Sequence, residues 1–432
     1  MGGVPPETVT ITVGVAGVGG GSGRTEIPPA TTATTIVIAI ASANLRVNGA
    51  AISQADVDRY RSIAPRRLAI THNDEAERER FRGVLEFRRR PPYNGLALMI
   101  REILGKLAEK QDLARDEAKG ALVEILRGEA TPAQIAAFAT GLRVKGETVE
   151  EIVGCVQAMR EAMVRVKIER PVVLDVVGTG GDGRGTYNIS TLTALVAAAG
   201  GATVAKHGNR AASSKCGSAD LFEALGVKLD APPAVVERCL NEIGIAFLFA
   251  PLYHPALKHA GPVRKELGFR TVFNLLGPLC NPAGANTYAL GVARPELVDK
   301  IGRVLQGLGI REAYVFHSDD GMDELSPYAP NRVCHVKGPA VKSFVIASDG
   351  LKDDGALQGG GVEKNRDAAL SLLKRELGGA LRVAVCMNAA LALQAAGVAK
   401  SYPDGLQAAG RALDSGLAYS KLEQLRRMSH EN

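Results

Sequence analysis

Residues 172–193 read VVLDVVGTGGDGRGTYNISTLT, and the fold is decided here. The apolar, β-rich run Val172–Val177 has the composition of a buried parallel strand. It stops at Gly178, and five of the eight residues 178–185 are glycine. Asn188-Ile189-Ser190-Thr191 then leads into a small-residue helix, Leu192–Ala199. Strand, glycine loop and helix in this order form an anion cradle. Glycines let backbone N–H groups approach an anion with no Cβ in the way. Ser190 or Thr191 is expected to cap the helix, whose free N–H groups and dipole favour phosphate. Asp182 adds a carboxylate, which suits a metal ion lying between carboxylate and phosphate. The plainer alternative is a flexible turn with Asp182 solvated; the agreement of strand, helix and hydroxyls favours anion binding. No Gly-Lys-Ser/Thr closes the loop and the spacing is not G-x-G-x-x-G, so neither a P-loop nor a dinucleotide fingerprint fits.

With 432 residues, 46% of them hydrophobic, the chain can bury a sizeable core in two or three domains. Aromatics make up 4% and tryptophan is absent, which argues against stacking platforms for single-stranded nucleic acid. A net charge of +6 suits an anionic small substrate as well as a polyanion. The six cysteines form no Cys-x-x-Cys pair, as expected of reduced thiols in a cytosol-like compartment. No apolar run reaches the ~20 residues that span a bilayer.

Residues 1–93 differ from the rest of the chain. The glycine-rich stretch 13–23 reads as linker, because prolines and threonines come after it where a nucleotide loop would have a helix. The apolar run Ile36–Ala41 lacks the basic flank of a signal peptide. Charge-dense residues 73–90, ending Arg88-Arg89-Arg90, read as a solvated helix and linker, with a nucleic-acid arm the less favoured alternative. From Gly95 the periodicity is helical. One helix runs through Leu107, a second covers Ala114–Arg127, and Thr131 and Thr148 open capping boxes with Gln134 and Glu151. These helices are expected to end near Lys145 and Lys167 and to form a small helical unit. After Pro171 strands are expected at 172–177, 202–205, 245–249, 288–293, 313–317, 333–337, 342–346 and 381–386. Helices fall between several of them, so the fold class is α/β with a mostly parallel sheet. Two helical stretches between His254 and Leu279 can rejoin the helical unit, and the chain from Asn388 is helical.

Three further stretches carry chemistry. Lys206-His207-Gly208-Asn209-Arg210, followed by Ser213, Ser214, Lys215 and Ser218, gathers cations and hydroxyls at a strand end, next to the glycine loop if the strands are neighbours. His207 inside this run is read as lining the site; a polar solvated loop is the alternative. Arg264, Lys265 and Arg270 place three cations in one short stretch, fit for a carboxylate or for an ordinary exposed helix face. Asp319-Asp320-Gly321-Met322-Asp323-Glu324 follows a strand, and its hard oxygens suit Mg²⁺ once substrate phosphates supply further ligands.

Taken together, GTGGDGRGTYNIST, KHGNRAASSKCGSAD, VRKELGFRTVFNLLGPLCNP and GMDELS resemble, in order and spacing, the anthranilate phosphoribosyltransferase family. The likeness runs from about residue 95 to the C-terminus. It implies a small helical domain (95–168 with about 255–281) and a larger α/β domain (169–254 and 282–432) about a hinged cleft, in a cytoplasmic homodimer; residues 1–93 leave organellar targeting open. It implies transfer of phosphoribose from 5-phosphoribosyl 1-diphosphate (PRPP) to anthranilate in tryptophan biosynthesis, with Mg²⁺ and without membrane or nucleic acid. By motif match Gly178, Gly181, Asp182, Thr186, Asn188, Ser190, Thr191, Lys206, Asn209, Ser213, Ser214 and Ser218 fall at PRPP positions. Gly178, His207, Asn209 and Arg264 fall at anthranilate positions, and Ser190, Asp323 and Glu324 at Mg²⁺ positions. Lys206 and Arg264 are the residues expected to carry catalysis. A pyrimidine nucleoside phosphorylase would share the fold but needs no acidic pair. A nucleic-acid-binding relative would use the basic run 88–90 and leave the phosphate motifs idle.

Overall fold

The computed structural model describes residues 100–431 apart from 212 and 213, together with Arg46–Val47, Ala50–Ala51 and Phe87. The expectations for 13–23 and 36–41, most of 73–90, the helical turn before Ile100 and Ser213 lie outside the described residues. The chain divides into two units, residues 1–73 and 74–432. In the first, the described residues are an antiparallel pair, Arg46–Val47 with Ala50–Ala51.

The second unit begins with helices α1 (Ile100–Ala108), α2 (Arg115–Arg127), α3 (Pro132–Lys145) and α4 (Val149–Ala162). Both predicted capping boxes form. Thr131 Oγ1 accepts from Gln134 N–H at 3.3 Å while Thr131 N–H donates to Gln134 Oε1 at 2.8 Å. Thr148 and Glu151 repeat the exchange at 3.2 and 2.8 Å. The fourth helix stops at Ala162, short of Lys167, and the N–H groups of buried Val164 and Val166 donate instead to the carbonyls of Tyr253 and Pro282. Helices α2 and α4 cross closely. A Cβ on Gly154 would overlap the backbone carbonyl of Arg115, which cannot retreat as a flexible side chain can. Gly154→Ala is therefore expected to destabilise the protein by about 2–3 kcal/mol, read as a shift in urea midpoint at unchanged slope.

The remaining elements are β1 (Leu174–Gly178), α5 (Ile189–Ala199), β2 (Val204–Gly208), α6 (Ser218–Ala224), α7 (Pro233–Arg238), β3 (Ile245–Phe249), α8 (Ala250–Tyr253), α9 (Gly261–Leu267), α10 (Val272–Leu279), β4 (Thr287–Gly291), α11 (Leu297–Gly307), β5 (Glu312–Ser318), β6 (Asn331–Lys337), β7 (Ala340–Ile346), α12 (Val362–Leu373), α13 (Gly379–Ala395), α14 (Tyr402–Asp414) and α15 (Leu417–Ser429). They build one sheet in the order β3-β2-β1-β4-β5-β6-β7. The first five strands run parallel; β6 and β7 add antiparallel. Burial on both faces explains why the parallel strands read as continuous apolar runs.

The strand expected at 381–386 is the correction: these residues lie inside α13. The run LRVAVC carries β-favouring valines, but it continues without a turn into the buried alanines to Ala395, a length that suits a helix. Helices α9 and α10 contact α3 and α4. Arg160 of α4 donates twice to the carbonyl of Leu279, at 3.0 and 2.8 Å, and so fastens the end of α10. No helix among the described residues is long and apolar enough to cross a membrane. All six cysteines are unpaired thiols.

Candidate active site

Parallel strands end their carboxyl sides on one edge, and β1, β2, β4 and β5 bring four loops together there. The register places Gly178, last in β1, beside Gly291, last in β4. This pair of glycines makes a floor. A Cβ on Gly178 would stand 2.9 Å from Asp323 Oδ2, and one on Gly291 would overlap the Asp323 carbonyl. Without side chains, the two strand ends let the acidic turn after β5 lie directly across them.

The turn divides its carboxylates. Asp319 binds Arg332 at 2.7 Å, and Asp320 accepts from Met322 N–H at 3.1 Å and from the Ser326 hydroxyl, so both shape the turn. Asp323 and Glu324 reach the glycine loop: Asp323 Oδ2 accepts from Gly180 N–H at 2.9 Å, and Glu324 Oε1 from Ser190 N–H at 3.0 Å. Asp182 joins them, accepting from Asp323 N–H at 3.4 Å and from Arg184 N–H at 3.1 Å. Asn388 of α13 anchors the turn from below, exchanging 3.0 Å bonds with both backbone groups of Leu325.

The loop itself needs its glycines: Gly180, Gly181, Gly183 and Gly185 all have positive φ, between 61° and 75°. Residues 357–365 pin its far half. Thr186 bridges to Gln358, Gly359 N–H donates to Gly185 at 2.9 Å, and Asn365 Nδ2 donates to Asn188 Oδ1 at 2.8 Å. The expected hydroxyl cap is not formed. The N-cap is Asn188, without a side-chain cap bond, and Ser190 and Thr191 lie within the first turn of α5. Glu324 takes the Ser190 N–H from across the sheet, which leaves a local hydroxyl cap no donor there. Thr191 is buried with its Oγ1 unpartnered.

Lys206 is the buried cation of the site, 2% exposed on β2. Its Nζ donates to the Val176 carbonyl at 2.6 Å and to Ser190 Oγ at 3.3 Å. Burial pushes its pKa down, opposed by the charges of Asp175, Glu324 and Asp323. Asp175, fully buried, accepts from Asn281 Nδ2 at 2.7 Å and from His207 N–H at 3.2 Å; burial raises it to about 6. Asp323 is raised to about 7 by burial and then by the charge of Asp182, and Glu324 is raised well above its usual range by burial and Asp323. Three carboxylates crowd one place where Lys206 offsets only part of their charge.

That crowding is what a divalent cation relieves. Among the described residues, however, no three His, Cys, Asp or Glu side chains form a ready-made metal cage. The donor chemistry fits a hard ion that keeps water and takes phosphate oxygens, since Mg²⁺ uses one or two carboxylates rather than an all-protein shell.

The second polar loop is partly structural. Arg210 pairs with Asp220 at 3.0 Å and Glu223 at 2.7 Å, which turns it away from the loop. Asn209 is exposed at the end of β2, its Oδ1 accepting from Arg210 N–H at 2.8 Å. Ser214 Oγ lies 3.3 Å from the Cys216 carbonyl, and Ser218 Oγ 3.4 Å from that of Asn209. His207 is buried, its ring 5.1 Å from that of His254. Neither Nε2 has a hydrogen-bond partner, and burial holds both rings neutral, His254 at about 4.

Arg264 on α9 stands over the Phe273 ring at 5.6 Å. It is partly buried, burial lowers its pKa, and no acidic partner faces it among the described residues. Arg270 follows and reaches the glycine loop, with Arg143 of α3 and Arg294 after β4 close enough to act on its charge. Sequence reading gave no role to Arg143, Arg294, Asn388 or Asn365; each is isolated among ordinary neighbours, and only the fold brings it here.

Residues 101–163 match the family model described as "Glycosyl transferase family, helical bundle domain", and 170–419 match "Glycosyl transferase family, a/b domain". The chain is 47% identical over 341 residues to the anthranilate phosphoribosyltransferase of Syntrophobacter fumaroxidans, across 77% of this chain and 100% of that one. The crystal structure of anthranilate phosphoribosyltransferase from Thermus thermophilus is 45% identical with a TM-score of 0.72, over 76% of this chain and 99% of that one. The Saccharomyces cerevisiae enzyme in complex with PRPP and Mg is 27% identical with a TM-score of 0.70, over 76% and 97%.

Proposed function

This chain belongs to the anthranilate phosphoribosyltransferase family, and we propose that it transfers the phosphoribosyl group of PRPP to the amine of anthranilate, releasing diphosphate, as a step of tryptophan biosynthesis. The observation that carries this reading is the meeting of glycine loop, Lys206 and the Asp323–Glu324 turn on one strand edge, with Arg264 on α9 having no acidic partner among the described residues. The helical domain is taken as 95–168 with about 255–281, the α/β domain as 169–254 and 282–432, in a cytoplasmic homodimer.

Breaking the C1′–O bond of PRPP leaves positive charge on the ribose and negative charge on the diphosphate. Asp323, Glu324 and Ser190 would hold magnesium, which when bound would supply Lewis-acid stabilisation of that departing charge. Lys206 adds a fixed cation in a water-poor place, where it needs no reorganisation as charge develops. Gly178 and Gly181 give the diphosphate access to the backbone; Asp182, Thr186, Asn188 and Thr191 complete the loop, and Asn209, Ser213, Ser214 and Ser218 contribute from the second loop. Arg264 takes the carboxylate of anthranilate with its paired donors, and Gly178, His207 and Asn209 bound the ring. The aromatic amine is a weak base and a modest nucleophile, so its placement against C1′ matters more than prior deprotonation. His207 fits this, since burial holds its pKa well below the usual imidazole range and so makes it a weak base.

Incubation with anthranilate, PRPP and Mg²⁺ tests the reaction. Anthranilate fluorescence is expected to fall, diphosphate and N-(5-phosphoribosyl)anthranilate to appear by mass spectrometry, and chelation to stop both; persistent fluorescence with intact PRPP would refute it. Arg264→Ala is expected to raise the KM for anthranilate at least about tenfold with little effect on that for PRPP. Equal changes in both would remove Arg264 from carboxylate binding.

A further inference from the structure

The glycine loop is gripped by a cation to which the proposed chemistry gives no part. Arg270 lies in the turn between α9, which is closed by Gly268 at φ 67°, and α10. Its Nη2 donates to the carbonyl of Thr179, and its Nη1 lies against Gly181, where any Cβ would overlap it. Asp323 and Asp182 favour the charge there; Arg294 and Arg143 oppose it. Arg264, the proposed anthranilate ligand, stands on the helix just before the same turn.

A loop with four positive-φ glycines is costly to order, because glycine loses more backbone freedom than any other residue. Whatever holds it in shape before substrate arrives lowers the ordering cost of binding. A planar guanidinium suits the task, since one arm bonds a carbonyl while the other reaches a glycine; an ammonium has a single point of attachment. We propose that Arg270 is a positioning residue that clamps the glycine loop to the segment bearing Arg264, so that the loop is preset for a sugar diphosphate and each substrate site senses the other. The proposal rests on the phosphoribosyltransferase reading for the identity of the two ligands, but the clamp itself is measurable without turnover.

In the ligand-free protein, Arg270→Ala is expected to speed hydrogen exchange of the amides of 179–187 at least about tenfold while core strands stay protected. The PRPP KM should rise about tenfold, kcat should change less, and Arg270→Lys should restore only part of the loss. In the wild-type protein PRPP with Mg²⁺ should tighten anthranilate at least about fivefold, and in Arg270→Ala this coupling should vanish. Unchanged exchange in 179–187, a uniform rise across the molecule, or full rescue by lysine would overturn the clamp. A wild-type protein with no turnover but a loop loosened by Arg270→Ala would sink the enzymatic reading and leave the clamp standing.

Discussion

Asp323→Asn combined with Glu324→Gln is expected to lower kcat by about three orders of magnitude, because it removes the anionic ligands for an ion whose stabilisation of departing charge is worth several kcal/mol. Shape is largely retained, since amide oxygens can still accept from Gly180 and Ser190 N–H. The fold should survive, because the crowding of buried acids that is relieved offsets the loss of two charges that compensate Lys206. A pH signature accompanies the loss. Asp323 titrates near 7, raised above its ordinary carboxylate value, so it carries a proton below that pH and its charge above it. Protons and Mg²⁺ then compete, and at limiting Mg²⁺ wild-type activity should fall as pH drops through 7, with higher Mg²⁺ moving the fall to lower pH. Activity in the double variant that still rises with Mg²⁺ along the wild-type curve would count against the pair as ligands.

Lys206→Met is the second large effect. Methionine keeps most of the stem volume but removes the cation between the Val176 carbonyl, Ser190 Oγ and Glu324. Loss of one fixed charge from a preorganised, water-poor site is expected to lower kcat about a hundred- to a thousandfold. The effect on stability depends on pH, as that of a simple packing defect would not. Burial opposes the charged lysine, yet it offsets Asp175, which is buried more completely still and linked to Asn281 and His207. Without Lys206, Asp175 should titrate higher still, so the variant's stability should go on falling as pH rises past about 6, where the wild-type protein levels off, and the gap between the two should open there. A variant with wild-type kcat would show that the lysine only fills space.

Much of this was legible in the chain because strand burial writes itself as apolar runs and phosphate loops write themselves as glycine. The run before Gly178, the capping boxes at Thr131 and Thr148, and the acidic turn after β5 are local signals, and each was found where expected. The rest depends on contacts between distant residues. Asp319 and Asp320 look the same in sequence as Asp323 and Glu324, and only Arg332 and Ser326 separate turn-makers from loop-facing carboxylates. Ser190 reads as a cap until Glu324 takes its N–H from 134 residues away. Arg210 reads as a phosphate ligand until Asp220 and Glu223 claim it. Residues 381–386 mislead because valines at alternating spacing suit a strand, whereas the decisive feature is the buried alanine run beyond them.

The central claim is that the Gly178–Thr191 turn and Glu324 together hold a sugar diphosphate through magnesium. A crystal structure of the protein with PRPP and Mg²⁺ tests it directly. The diphosphate should lie within hydrogen-bond reach of the glycine-loop amides, with a cation coordinated by Glu324 and by diphosphate oxygens. Diphosphate bound elsewhere, or bound at the loop with no cation near Glu324, would contradict it.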